Sequence, residues 1–466
     1  MAGFMIAAPS SGSGKTILTC GLLELLKQKG YRPFSYKCGP DYIDRLFHSR
    51  ILQVEGGNLD TFFAAPKKLR ADYAAVSREY FPVTEGVMGY YDGLGGVSQA
   101  ASTWEVARVL NLPVVLVIDA RGVSASLSAL LKGFLTYRTP SQIQAVILNR
   151  VSPMIYPRLK EMIEKEHPVR VAGFVPELDF LKIGSRHLGL VLPEEIRDLQ
   201  AQIERLAKTL EDTIDWKFLT ELSGGPEIGE TGETGRTDSN SEAGAAVRPA
   251  FRLGVAKDEA FCFYYRENLE FFKSLGAELI EFSPLWQAHL PEGLDGLLLG
   301  GGYPELHAKE LSANESMRKE LLRQIGLGMP VLAECGGYLY LLEELEDADG
   351  NRYPMVGAFS GVGKRKGKQG RFGYIGVHTG RDSLYLKAGE EIRGHEFHYW
   401  DCSLPDEAYE MEAVKPVGNR AWPCVRTVRQ TMAGFPHLYY PSLPEFGERF
   451  RDACLRFQKR PEVIKK

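Results

Sequence analysis

Ala8-Pro9-Ser10-Ser11-Gly12-Ser13-Gly14-Lys15-Thr16 is the stretch on which the fold of the first half turns. It follows a short apolar run at 4–8. It leads into 16–29, where Ile17, Leu18, Leu22, Leu25 and Leu26 share one helical face and Gly30 stands as a C-cap. Strand, glycine-rich loop and helix in that order make a phosphate cradle. Gly12 and Gly14, with Ser13 between them, let backbone N–H groups turn inward around phosphate oxygens at a helix N-terminus. Lys15 supplies a point charge for the outer phosphates of ATP, and Thr16 offers a hydroxyl to Mg²⁺. Pro9 replaces the first glycine of the usual pattern, which leaves the physical logic intact.

Outward from this loop, apolar runs at 34–37, 83–87, 114–119, 145–149 and 170–175 read as buried strands between amphipathic stretches. That alternation predicts an α/β fold with a mostly parallel, doubly wound sheet. Residues 223–246 are dominated by Gly, Glu, Ser and Thr and read as a flexible linker, too polar to offset the entropy of ordering. Strand patterns resume at 253–257, 278–282, 296–299 and 331–333, so a second α/β domain follows. The boundaries expected are 1–222 for the first domain, 223–250 for the linker and 251–460 for the second. The stretch 445–459 reads as a helix packed on its own domain rather than on a membrane.

With 466 residues, 44% hydrophobic and 25% charged, the chain has the composition of a globular protein too long for one core. A formal charge of −4 gives no global reason to bind nucleic acid or an acidic membrane. The start shows no basic region followed by a long apolar run, and the seven cysteines form no CxxC pair. A cytoplasmic location is expected, and a homodimer is compatible with the sequence.

Carboxylates for Mg²⁺ are sought at strand ends, where ligands gather in α/β sheets. Asp41 and Asp44 lie in Gly39-Pro40-Asp41-Tyr42-Ile43-Asp44. Glu85 opens Glu85-Gly86-Val87-Met88-Gly89, with Asp92 just beyond, and Asp119 closes the most apolar strand. Each could instead be a helix cap or turn residue.

In the second half, the run 331–333 enters Glu334-Cys335-Gly336-Gly337-Tyr338 and then an apolar stretch, 339–345. A cysteine on a tight strand-to-helix turn is a nucleophile elbow, where glycines relieve crowding and the helix N-terminus favours thiolate. Upstream, Leu299-Gly300-Gly301-Gly302-Tyr303-Pro304-Glu305 ends another strand, and the amides of Gly301 and Gly302 suit an oxyanion hole. A histidine base is needed. His437, in Gly434-Phe435-Pro436-His437-Leu438-Tyr439, is the first choice; His395 and His398 compete.

A phosphate site joined to a glutaminase site implies amidation of a carboxylate: ATP converts the acid to an acyl phosphate, and glutamine supplies ammonia. Here the chain resembles the cobyrinic acid a,c-diamide synthases of corrinoid biosynthesis over essentially all but the linker. The resemblance is carried by the motifs above together with Lys37-Cys38-Gly39-Pro40-Asp41-Tyr42-Ile43-Asp44, Ser185-Arg186-His187-Leu188-Gly189-Leu190, Ala260-Phe261-Cys262-Phe263-Tyr264-Tyr265 and Gly394-His395-Glu396-Phe397-His398-Tyr399. It implies a dethiobiotin-synthetase-like P-loop domain and a class I, triad-type glutamine amidotransferase domain. It implies amidation of the c and a acetates of cobyrinate or hydrogenobyrinate, with ATP, glutamine and a tetrapyrrole polycarboxylate as small-molecule partners. By the same resemblance Asp41, Asp44 and Asp92 serve substrate activation, Thr16, Asp44 and Glu85 hold Mg²⁺, and Asn149 falls where related folds read adenine. Tyr439 departs from the family, which often has a second histidine there. The nearest rival substrate is nickel-sirohydrochlorin. A partitioning-type ATPase scaffold is a rival of another class, but it would carry an early second lysine where Ser10 and Ser11 stand.

Overall fold

The computed structural model describes residues 2–181, 193–222, 249–366, 371–402, 404–405, 408–418 and 420–460, and only the backbone of 193–197. The expected linker segment 223–246 and the motif Ser185–Leu190 lie outside the described residues. The chain divides into two compact units, Met1–Gly235 and Arg236–Lys466.

The first unit has seven strands: β1 (Phe4–Ala7), β2 (Pro33–Cys38), β3 (Gly56–Leu59), β4 (Phe81–Glu85), β5 (Val114–Asp119), β6 (Ile143–Asn149) and β7 (Arg170–Val175). They form one sheet in the order β3-β2-β4-β1-β5-β6-β7, parallel throughout. Strands buried on both faces need near-continuous apolar runs, as in β1 and β5. Helices α1 (Lys15–Gln28), α2 (Ile43–Ile51), α3 (Pro66–Val76), α4 (Thr103–Leu110), α5 (Ser126–Thr136), α6 (Tyr156–Glu166), α7 (Pro193–Thr213) and α8 (Trp216–Glu221) complete the unit. Leu18, Leu22, Leu25 and Leu26 of α1 are buried with Ile203, Leu206 and Leu210 of α7. The chain leaves β1 toward β2 on one side and later returns to its other side with β5. The crevice beyond the C-terminal end of β1 is therefore the topological switch point, and the phosphate loop occupies it. Strand β3, Gly-Gly-Asn-Leu, was not expected, because an edge strand with two glycines has no apolar run.

The second unit contains β8 (Phe251–Ala256), β9 (Phe261–Phe263), β10 (Ala277–Phe282), β11 (Gly296–Leu299), β12 (Gly301–Gly302), β13 (Val331–Glu334), β14 (Leu342–Glu346), β15 (Arg352–Pro354), β16 (Phe359–Arg365), β17 (Phe372–His378), β18 (Glu391–Phe397), β19 (Trp400–Cys402), β20 (Met411–Val414), β21 (Ala421–Val428), β22 (Thr431–Gly434) and β23 (His437–Leu438). Ten of them make one sheet, β10-β8-β11-β13-β22-β21-β20-β17-β18-β23. It is parallel from β10 to β22 and antiparallel beyond. Strands β22 and β23 are separated by two residues yet stand in the middle and at the end of that order. The antiparallel extension must therefore curl back on itself, which delivers β18 to β23. Leu297, Leu299, Val331 and Ala333 pack into one core and Leu298, Leu332, Leu253 and Val255 into another, the period-two burial of a sheet covered on both faces. Helices α9 (Arg266–Ser274), α10 (Ala308–Ala313), α11 (Glu315–Gly326), α12 (Gly336–Leu341) and α13 (Pro444–Gln458) accompany it. The helix expected from the apolar stretch 339–345 stops at Leu341, and Leu342–Glu346 becomes β14 paired with β15 and β16. Helix α13 buries Phe446, Phe450, Ala453, Cys454 and Phe457 within its own unit. Among the described residues no helix is long and apolar enough to cross a membrane.

Candidate active sites

At the end of β1, Gly12 (φ +77°) and Gly14 (φ +95°) take the left-handed conformations that turn the loop into the start of α1. Gly14 is also needed for space: a Cβ there would stand 2.3 Å from Asn149 Nδ2. That amide donates to Ser13 O at 2.9 Å, and Asn149 Oδ1 accepts from the Arg150 amide at 3.0 Å. Asn149, expected at adenine, thus spends its side chain bracing the phosphate loop. A cavity of about 490 Å³ opens beyond β5, β6 and β7, with Arg121, Ser124, Arg150, Ser152, Pro176 and Glu177 in its lining, room enough for a nucleoside.

Lys15 Nζ donates to Met88 O at 2.6 Å and Ser10 O at 3.2 Å. Burial, reinforced by the nearby Lys37 charge, lowers Lys15 to about 8, and an anion in the loop would raise it again. Thr16 Oγ1 donates to Glu85 Oε1 at 2.6 Å, and Lys37 Nζ reaches the same oxygen at 2.7 Å. Lys37 also pairs with Asp44 and stands 3.9 Å from Asp41. Burial alone would raise Asp44, but the Lys37 ammonium prevails and lowers it. Burial and the Asp44 charge push Asp41 up to about 6, and burial raises Glu85. Asp41 Oδ1 accepts from the Ile43 and Asp44 amides at 2.9 and 3.2 Å, the bland capping role open to it from the start. Asn58 of β3 holds that loop by donating to Gly39 O and Asp41 O.

Lys37 is the residue the sequence reading left out of the site, although it opens a quoted motif. It fills the place between Asp44 and Glu85 that Mg²⁺ was expected to share. Asp92 is exposed and accepts from Gly89 N at 2.9 Å. Asp119 pairs with Arg150 at 2.7 Å. The metal question then rests on Thr16 and Glu85. Glu85 is fully buried, and its Oε2 has no hydrogen-bond partner among the described residues. Among those residues no group of three or more His, Cys, Asp or Glu side chains forms a ready-made cage. Thr16 Oγ1 and the unpartnered Glu85 Oε2 are few protein oxygens, which suits Mg²⁺, an ion that keeps waters and takes phosphate oxygens.

In the second unit Cys335 stands between β13 and α12 at φ +49°, a strained value for a side-chain-bearing residue and the mark of an elbow. Its amide donates to Gly434 O at 2.8 Å. The glycine end of β11 lies against the same place. A Cβ on Gly336 would meet Gly302 N at 3.0 Å, and one on Gly301 would meet His437 Cε1 at 2.3 Å. Only glycine at 301 lets the imidazole sit there. His437 is buried, with Nδ1 4.0 Å from Glu334 Oε2. His395 stacks on His437 at 5.0 Å between centroids and meets Tyr265 Oη at 2.9 Å. His398 stacks on Phe435 and contacts Trp400 O. Tyr439, the departure from the family pattern, packs edge-on against Tyr265. Burial, then the Glu305 and Glu396 charges, push the Cys335 thiol well up, and burial lowers His437 to about 3. A protonated thiol and a neutral imidazole are the resting forms, so the imidazole is free to act as base.

Glu334 was also missed, being read only as a neighbour of the cysteine. Its Oε1 accepts from Tyr440 Oη at 2.6 Å and Leu438 N at 3.1 Å, and burial pushes it up to about 7. Glu334→Gln keeps the acceptor and removes the charge. Because the folded pKa is raised above the ordinary 4.5, the stability tied to this proton is fully present below that value. It is lost as pH rises through 7, to the extent of about 3 kcal/mol. The variant should therefore melt higher than the parent at pH 8 and alike at pH 4.5, while glutamine hydrolysis at pH 8 falls about tenfold or more. Equal melting at pH 8 would remove the charge from this account.

Residues 4–191 match the CobQ/CobB/MinD/ParA nucleotide binding domain, and residues 252–442 the CobB/CobQ-like glutamine amidotransferase domain. The chain is 38% identical to the cobyrinate a,c-diamide synthase of Caldanaerobacter subterraneus subsp. tengcongensis over 98% of its own length and 99% of the relative's. It is 37% identical to the enzyme of that name from Listeria innocua, over 94% and 96% of the two chains. The Salmonella typhimurium counterpart is 36% identical over 97% and 98%.

Proposed function

As a member of the cobyrinate a,c-diamide synthase family, this chain is a glutamine-dependent ligase, and we propose that it amidates the a and c acetates of cobyrinate or hydrogenobyrinate through acyl phosphates in the cytosol. The observation that carries this reading is that one chain holds both halves of the chemistry: a Lys15–Thr16 loop against buried Glu85 and Lys37, and an elbow cysteine and a buried histidine that share the glycine end of β11.

In the first unit, loop amides and Lys15 hold the ATP phosphates, and Lys37 offers its ammonium to the charge that develops on transfer. Thr16 and Glu85 would hold Mg²⁺, which would supply neutralisation of phosphate charge. Asp44 and Asp41 keep Lys37 charged and placed. The substrate carboxylate oxygen takes the γ-phosphoryl group, releasing ADP. Ammonia then attacks the acyl carbon, and inorganic phosphate leaves. In the second unit, His437 takes the Cys335 proton as sulfur attacks the glutamine amide carbon, and returns it to the departing ammonia. Gly301 and Gly302 amides receive the oxyanion, water hydrolyses the thioester, and glutamate is freed. Glu334 supports the imidazolium formed on the way.

The test is direct. Purified protein is given ATP, Mg²⁺ and glutamine with cobyrinate, hydrogenobyrinate or nickel-sirohydrochlorin, and products are weighed by mass spectrometry. Two successive losses of about 1 Da, each an OH replaced by NH₂, are expected with cobyrinate or hydrogenobyrinate. Turnover of the nickel macrocycle alone would overturn the substrate assignment.

A further inference from the structure

We propose that an aromatic ledge formed by Tyr91, Trp104, Phe134 and Tyr137, with Arg138 at its rim, seats the tetrapyrrole ring beside the phosphate loop. The proposal rests on the functional reading above and names the site that reading lacks. Nothing in the spacing of positions 91, 104, 134 and 137 marks them as one surface; the fold brings them together.

Position comes first. From the end of β4 the chain runs along the phosphate loop: Gly86 N donates to Ile6 O at 2.8 Å and Tyr90 N to Ala8 O at 2.9 Å. Lys15 itself holds Met88 O. Tyr91 is the next residue, and Asp92 follows it. A ring seated on Tyr91 therefore has its rim close to where a carboxylate must meet the γ-phosphate.

The surface has the right chemistry. Tyr91 lies 5.0 Å from Tyr137, 5.6 Å from Phe134 and 6.2 Å from Trp104, centroid to centroid. The polar tips are already occupied: Tyr91 Oη donates to Phe134 O at 2.6 Å, Trp104 Nε1 to Pro140 O at 3.1 Å, and Gln99 Nε2 to Tyr137 Oη at 3.2 Å. What remains to a ligand is ring surface held in place, which suits a broad, flat, conjugated molecule. Tyr137 is 53% exposed, Leu130 40% and Val97, at the tip of the glycine-rich 93–97 loop, 86%. Packing of the two loops accounts for Tyr90, which is 1% exposed, but not for apolar groups left in solvent.

Charge completes the fit. The Arg138 guanidinium lies 4.2 Å over the Tyr137 ring, and its Nε donates to Gln99 Oε1 at 2.6 Å. Among the described residues no carboxylate stands within 4.0 Å of it. A guanidinium held on an aromatic face without an acid partner matches the carboxylate rim of the macrocycle.

The experiment uses the full chain with ATP and ammonium, so that glutamine hydrolysis plays no part, and reads KM for cobyrinate and for ATP separately. Tyr137→Ser and Arg138→Gln should each raise the cobyrinate KM about tenfold or more, with the ATP KM within twofold of the parent. Tyr137→Phe, which keeps the ring face, should stay near the parent value. Val97→Asp, a change at a solvent-facing tip, should weaken cobyrinate by charge repulsion without altering the melting temperature. An unchanged cobyrinate KM in both Tyr137→Ser and Arg138→Gln overturns the ledge, as does an equal rise in the ATP KM. A parent chain that amidates no tetrapyrrole acid overturns the functional reading and the ledge with it.

Discussion

Cys335→Ala should leave the chain able to amidate its substrate with ammonium and unable to do so with glutamine. The thiol is the only atom asked to form a bond to glutamine, and removing a covalent nucleophile costs on the order of 10⁴-fold or more. The substitution deletes one buried sulfur at a turn whose backbone, at φ +49°, is set by the elbow and not by the thiol. Melting of the second unit should therefore change little. The ligase half keeps Lys15, Thr16, Lys37 and Glu85 untouched, so ammonium-driven product should appear at parental rate. Product mass with each nitrogen source, measured at a pH where free ammonia is plentiful, reads both arms. Equal loss with glutamine and ammonium would sink the division of labour.

Lys37→Met should be the most damaging change in the first unit, for stability and for turnover together. Lys37 is the cation shared by Glu85, at 2.7 Å, and Asp44, and all three side chains are buried. Removing one member of a buried ion pair leaves uncompensated charge and costs about 3–5 kcal/mol. The melting temperature should fall accordingly, and amidation should be lost with either nitrogen source while glutamine hydrolysis survives. Lys37→Met combined with Asp44→Asn, which spares Glu85 and Thr16, separates the two effects. It should recover part of the melting temperature, because a charge is removed with its partner, and none of the turnover. Recovery of turnover in the double variant would show that Lys37 serves the fold alone.

The phosphate loop was legible because its signals are local: an apolar strand, two glycines at turning points, Lys15 and Thr16 in fixed order, then an amphipathic helix. The elbow was legible for the same reason, from four residues of β13 and the glycines after Cys335. Lys37 and Glu334 were not, although both stand inside quoted motifs. A lysine in a strand or a glutamate before a cysteine has no periodicity to betray it. Their roles depend on burial and on partners such as Asp44, Glu85, Tyr440 and Leu438. Strand β3 escaped because its Gly-Gly-Asn-Leu has no apolar run, and β14 because five residues after α12 read equally well as more helix.

What the sequence determined by itself is the order of local devices: phosphate loop, elbow and late histidine, each written within a few consecutive residues whose backbone preferences decide its shape. What only tertiary structure decided is which distant residues meet. The curl of the ten-stranded sheet returns β18 to β23 and lays His395 on His437. The parallel order of the first sheet sets Glu85 between Thr16 and Lys37. The physical reason is that burial energy is collected between elements far apart in the chain, while sequence patterns record only neighbours.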